Sequence, residues 1–263
     1  MRPYRLFLRL LAIAGMILLA SGPHVTRPTS AAPAPATYLL ADMVTLDRAY
    51  IAALALTSQE KLEPSQKSMA ILVPTWQAFR VKYIAANPAD PQWRPDFDTV
   101  GGMIERADGI VRTGSDLVAA HDELEGVRIT LMGLRERNGI EYYVDHLTRF
   151  HEPMEAIVLA GKGKTTETLS SADLEAIRSH LPVAREIWSG VTTAHFDPAL
   201  FGFTAEKQAA MQKQIAAETD ALTQLQAALD AGDTAAVAQR AVALKPSFSV
   251  LFMLFGDFDG LNG

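Results

Sequence analysis

Between Phe248 and Phe255 the chain reads FSVLFMLF, and only Ser249 is left to face water. A helix that is apolar on every side has to be covered by the rest of its chain. The stretch Ala235 to Phe255 therefore predicts the central helix of a bundle, with the other helices wrapped around it. It does not read as a bilayer span. Arg240, Lys245 and Pro246 interrupt it, and its uncharged part is shorter than the roughly 20 residues that a membrane requires.

Upstream, apolar residues recur three and four apart, which is the signature of one buried helix face. Leu39, Met43, Leu46, Tyr50 and Leu54 define a first helix over 39–57. Met69, Leu72, Val73, Trp76, Phe79 and Tyr83 define a second, restarted at Glu63 and Pro64. Pro88, Pro91 and Pro95 mark 87–95 as a loop, and Phe97 to Gly114 and Asp116 to Arg137 complete the first half. The second half gives helices over 142–159, 170–188, 206–229 and 233–255, with connections at 161–168 and 196–203. No alternating pattern long enough for a strand occurs. The expected fold is all-α, tandem up-and-down four-helix bundles, with units at 38–138 and 140–258. Local echoes suggest internal duplication: Leu46-Asp47-Arg48 with Leu147-Thr148-Arg149, Val73-Pro74 with Leu181-Pro182, Gly101-Gly102-Met103 with Ala209-Ala210-Met211, and Gly114 with Gly232. Pro74, Pro153, Pro182 and Pro246 fall inside these helices, where a proline removes a backbone donor and bends the helix.

The first residues carry the order of an export signal. Arg2, Arg5 and Arg9 precede the apolar run Leu10 to Ala20, and small residues place cleavage after Gly22 or after Ala36. Residues 1–36 are thus expected to be a Sec-type signal peptide and disordered leader, without the cysteine of a lipoprotein signal, and the mature chain to be periplasmic or secreted. The absence of cysteine excludes disulfides, thiolate metal sites and thiol nucleophiles. A net charge of −6 with no basic stripe makes nucleic acid and anionic membrane surfaces poor partners.

The polar residues that could carry chemistry gather near the joint between the halves. His121 and Glu125 lie four apart on one helix, and His151 and Glu155 lie four apart on the next. Each pair can share a face, and histidine with carboxylate on facing helices is how bundles hold divalent transition metals. The Glu-x-x-His motif of di-iron bundles is absent, and Pro153 interrupts one of the two helices. Lys245, if enclosed, calls for a carboxylate partner. Gly161-Lys162-Gly163-Lys164 sits in a helix connection without the strand of a phosphate loop, and no nucleophile elbow or His-Glu-x-x-His motif occurs. An enzyme is not expected, and a hydrolase at a cleft near His121 is the remote exception.

The segment Phe97 to Gly101, continuing through Ala107 and Gly114 to Ala119 and Ala120, resembles the third-helix and loop region of the soluble b-type four-helix-bundle cytochromes; a fainter likeness spans Met211 to Val237. The resemblance implies a four-helix fold and haem b held between a methionine early in the first helix and a histidine late in the last. Met43 occupies the first position, but no histidine falls near the end of the fourth helix. The second half carries His146 early and Met253 late, the same pair with the partners exchanged. The expected role is non-enzymatic binding of an envelope protein or a small ligand. The alternative is a haem or metal carrier using His146, His151, Glu155 or Met253.

Overall fold

The computed structural model describes residues 36–261, so the expected signal and leader at 1–35 lie outside the described residues. Ala36, read as the end of the leader, begins the first helix. Every regular element among the described residues is a helix: α1 Ala36–Ser58, α2 Leu62–Tyr83, α3 Trp93–Thr113, α4 Leu117–Arg137, α5 Tyr143–Gly161, α6 Ser171–Thr193, α7 Pro198–Phe201, α8 Ala205–Ala231, α9 Thr234–Val242 and α10 Leu244–Met253. The fold is all-α, built of four-helix bundles. No helix among the described residues is long and apolar enough to cross a membrane.

Short connections turn successive helices back on one another. In the first group α1 packs on α2, α2 on α3, α3 on α4, and α4 returns to α1. In the second α5 packs on α6, α6 on α8, and α9 and α10 together fill the fourth place between α8 and α5. The third helix of each group ends on a left-handed glycine, Gly114 at φ 64° and Gly232 at φ 68°, and Asp116 or Asp233 then caps the next helix. Glycine suits that stop because it has no Cβ to clash at positive φ. The echoed pair Gly114 and Gly232 thus occupies equivalent junctions.

The last helix departs from expectation in two ways. The single helix expected over 233–255 is two, parted at Ala243. Pro246 explains the break. Its ring collides with the carbonyl four residues back, at Val242, where α9 stops, while a proline in the first turn of α10 costs little. The other three helix prolines, Pro74, Pro153 and Pro182, lie inside continuous helices.

The second departure corrects the central-helix reading. Phe248, Leu251, Phe252 and Phe255 are buried, but Val250 is 42% exposed, and Met253 and Leu254 are only half-buried. The tail is one wall of the second group rather than the axis of the molecule. Its composition misleads because an apolar residue need not be inside; much of any protein surface is apolar. The largest fully buried side chains are spread through both groups and include Tyr83, Phe97, Leu124 and Phe150. One continuous apolar cluster runs across α1–α10.

Between the groups, polar contacts set α1 and α4 against α5 and the aromatic connection. Arg135 on α4 grips Asp145 on α5 through Nε and Nη2, at 2.8 and 2.5 Å, and both side chains are buried. Its guanidinium lies 4.6 Å from the centre of the Tyr142 ring. Buried Asp47 on α1 adds a second negative charge, and burial raises its carboxyl to about 6 despite the opposing pull of Arg135. Arg48 donates to the Phe201 carbonyl at 2.7 Å, tying α1 to α7. Around α7, Phe196, Phe201, Phe203 and Phe255 stack edge to face.

Candidate functional site

On α4, His121, Glu125 and Arg128 fall at positions i, i+4 and i+7, so they share one helix face. That face meets α5 and α10 where the two groups join. A cavity of about 240 Å³ lies there, whose lining includes the charged and imidazole side chains of His121, Glu125, Arg128, His151 and Lys245 and the apolar side chains of Leu54, Met154, Phe248, Phe252 and Met253.

Arg128 organises the polar residues. It is only 6% exposed. Its Nη2 donates to the Glu125 carboxylate and, at 2.6 Å, to Nδ1 of His151. Its Nε is buried without a hydrogen-bond partner, and its guanidinium carbon lies 6.0 Å from the Phe252 ring centre. A guanidinium has no lone pair to offer, so the shared contact makes Nδ1 of His151 the acceptor and leaves the ring proton on Nε2. Burial, with the charges of Arg128, Lys245 and His121 behind it, pushes His151 down to about 2, so the ring is neutral at ordinary pH.

His121 is oriented from the other side. Its Nδ1 lies 3.1 Å from the Leu54 carbonyl, which can only accept, and its Nε2 lies 3.5 Å from Glu125. Lys245 finds the carboxylate that its sequence position calls for, donating to both oxygens of Glu155 at 2.9 and 3.0 Å. It is not enclosed; its side chain is 51% exposed.

His121, Glu125, His151 and Met253 therefore come to one cavity, whereas Glu155 stands behind Lys245 and is not part of the lining. His146 lies elsewhere, on a wider groove of about 1130 Å³ with Tyr143, Arg149, His195 and Phe201. Burial first, and Arg149 second, hold its ring below the usual histidine range. His146 and Met253, the exchanged haem pair, thus border different spaces. Met43 is buried in the core.

The donor set at the cavity is a poor match for a metal. Among the described residues no three His, Asp or Glu side chains gather closely enough to hold one. His151 would have to surrender either its Arg128 contact or its Nε2 proton to become a ligand, beside a buried cation. The 240 Å³ volume is also below the roughly 300–1,000 Å³ of pockets for drug-sized ligands, which leaves no room for a porphyrin. For hydrolysis the lining offers Ser58 and Ser249, but neither hydroxyl bonds to a histidine among the described residues, as an activated nucleophile would.

Arg128 is the residue that the sequence reading missed. The spacing of three from Glu125 and seven from His121 carried the information, but a charged residue on a helix is ordinarily solvated. Comparison of the chain with family models, with curated proteins and with solved structures finds no match.

Proposed function

We propose that this chain is a non-enzymatic binding protein of the cell envelope that takes a small amphipathic molecule into the cavity between its two four-helix groups. The observation that carries the reading is Arg128: a buried cation with an unpartnered Nε, bordering a cavity also lined by Phe248, Phe252, Met154 and Leu54. A concave, mainly apolar space with a few convergent polar groups is the usual form of a ligand site. The envelope location rests on Arg2, Arg5 and Arg9 ahead of the apolar run to Ala20.

A thermal-shift screen of small aromatic and aliphatic acids, amines and amides tests the reading. Binding raises the melting temperature of the folded chain by mass action. Compounds that stabilise the parent protein are expected to lose their effect in Met253→Trp, which fills the cavity. The reading fails if no compound stabilises the parent, or if the stabilisation survives that substitution. A Soret band or stoichiometric metal in protein purified from an iron-replete culture would replace it with the carrier reading.

A further inference from the structure

We infer that the molecule taken up by this cavity is a small monocarboxylate with a compact apolar body, its carboxylate set at the Arg128 and Lys245 end; the inference rests on the ligand-binding reading above. Charge points to the acid. The lining carries two permanent cations, Arg128 and Lys245, against one carboxylate, Glu125. That carboxylate is already held by Arg128, and the partner of Lys245, Glu155, lies outside the lining.

Hydrogen-bond capacity points the same way. Of the Arg128 fork, only Nη2 is engaged, and Nε is buried without an acceptor. A buried donor on a charged group that lacks a partner is costly, and a carboxylate is the acceptor whose geometry a guanidinium fork matches. His151 adds a donor rather than an acceptor. With Nδ1 committed to Arg128 its proton sits on Nε2, and that N–H has no partner among the described residues. The lining thus presents donors from Arg128, Lys245 and His151 to a guest that can accept.

The apolar part of the lining limits the rest of the guest. Phe248, Phe252, Leu54 and Met154 offer nothing to a second charge, and an unpaired charge against them would be strongly unfavourable. A guest with one acid group is therefore favoured over dicarboxylates and phosphate esters. The volume of about 240 Å³ equals roughly eight water molecules at about 30 Å³ each. A phenyl ring or a short branched chain fits; a long acyl chain does not.

Isothermal titration of the full chain with benzoate, 4-methylpentanoate and their amides tests the inference. At least one of the acids is expected to bind about tenfold or more tightly than its amide, the difference that a charge-assisted pair supplies. Lys245→Met, a half-exposed position that leaves the core intact, should shrink that ratio severalfold, and Arg128→Gln should abolish it. Met253→Trp should remove binding of acid and amide alike. If acids and amides bind equally and Met253→Trp removes both, the cavity reading stands and the acid class falls. If neither acid binds, the acid class falls and the cavity reading is left to the amines and amides of the thermal-shift screen; if acid binding survives Met253→Trp, the inference is overturned together with the cavity reading.

Discussion

Arg128 on α4 and His151 on α5 meet across the joint between the two helix groups, with 2.6 Å between Nη2 and Nδ1. The contact fixes a histidine tautomer, ties the groups together and sets the polarity of the cavity between them. Burial, with that guanidinium beside it, keeps His151 a neutral ring where histidine would otherwise titrate.

The first prediction concerns that ring. His151 falls from 6.5 to about 2 on folding, so between those values the unfolded chain binds a proton that the folded chain refuses. Stability rises with pH wherever the unfolded state binds more protons. The contribution of His151 is therefore complete above about 6.5 and is lost as pH drops from there toward about 2. Nitrogen-15 NMR should find a neutral Nε2–H ring still present at pH 4, and His151→Gln, which keeps an acceptor for Arg128, should reduce the acid sensitivity of urea unfolding. A ring that titrates near 6.5 would contradict the geometry.

Glu218 on α8 has the opposite sign. It is fully buried, its Oε2 accepts from the Ser247 hydroxyl, its Oε1 has no partner, and burial raises its carboxyl to about 8 from 4.5. Over that window the folded chain keeps a proton that the unfolded chain has released, so stability falls as pH rises. Glu218→Gln keeps the shape and cannot ionise. Its advantage over the parent in urea unfolding should grow from pH 5 to pH 9; an unchanged difference would show that the carboxyl is already charged when folded.

The Arg135–Asp145 pair predicts an asymmetry. Removing one partner of a buried ion pair costs about 3–5 kcal/mol because the other charge is stranded. Arg135→Met strands both Asp145 and the nearby Asp47, whereas Asp145→Asn leaves Arg135 with Asp47 to answer it. Denaturant titration should show the arginine variant to be the less stable, and equal losses would mean that Asp47 does not share the cation.

Two helix glycines separate packing from propensity. A Cβ on Gly161 of α5 would stand 2.6 Å from the Ala241 Cβ and 3.0 Å from the Ala238 carbonyl on α9. Gly161→Ala should lose about 1–3 kcal/mol through overpacking. Gly109 in α3 is exposed and has nothing within 4 Å of the same position. Gly109→Ala should gain about 0.5–1 kcal/mol from helix propensity alone. Equilibrium unfolding of both variants checks the signs.

Much of this architecture was legible in the sequence because amphipathic periodicity and helix stops are local. Leu39 through Leu54 announced α1, Gly114 announced the end of α3, and Asp116 announced the start of the helix that follows. What periodicity could not say is which face of an apolar segment meets the core, so Val250 and Met253 were assigned to an interior they only partly enter. The cavity was half legible: His121, Glu125, His151 and Met253 were singled out, but as ligands for a metal or haem. Arg128, which turns His151 from a ligand into a neutral donor, comes from a neighbouring helix, and a contact of that kind leaves no mark in local spacing. The separation of His146 from Met253 is likewise a property of the assembled groups.

The central claim is that a small acid occupies the space among Arg128, His151, Lys245 and Phe252, and methyl NMR of protein labelled at its methionines addresses it directly. Titration with benzoate or 4-methylpentanoate should move the Met154 and Met253 methyl signals, which belong to residues lining that space, in a saturable way. Met69 and Met211, buried elsewhere in the core, should hold still. If Met154 and Met253 stay fixed while either acid is raised to saturation, or if all four signals drift together, the cavity is not the binding site and the account of this protein's function is wrong.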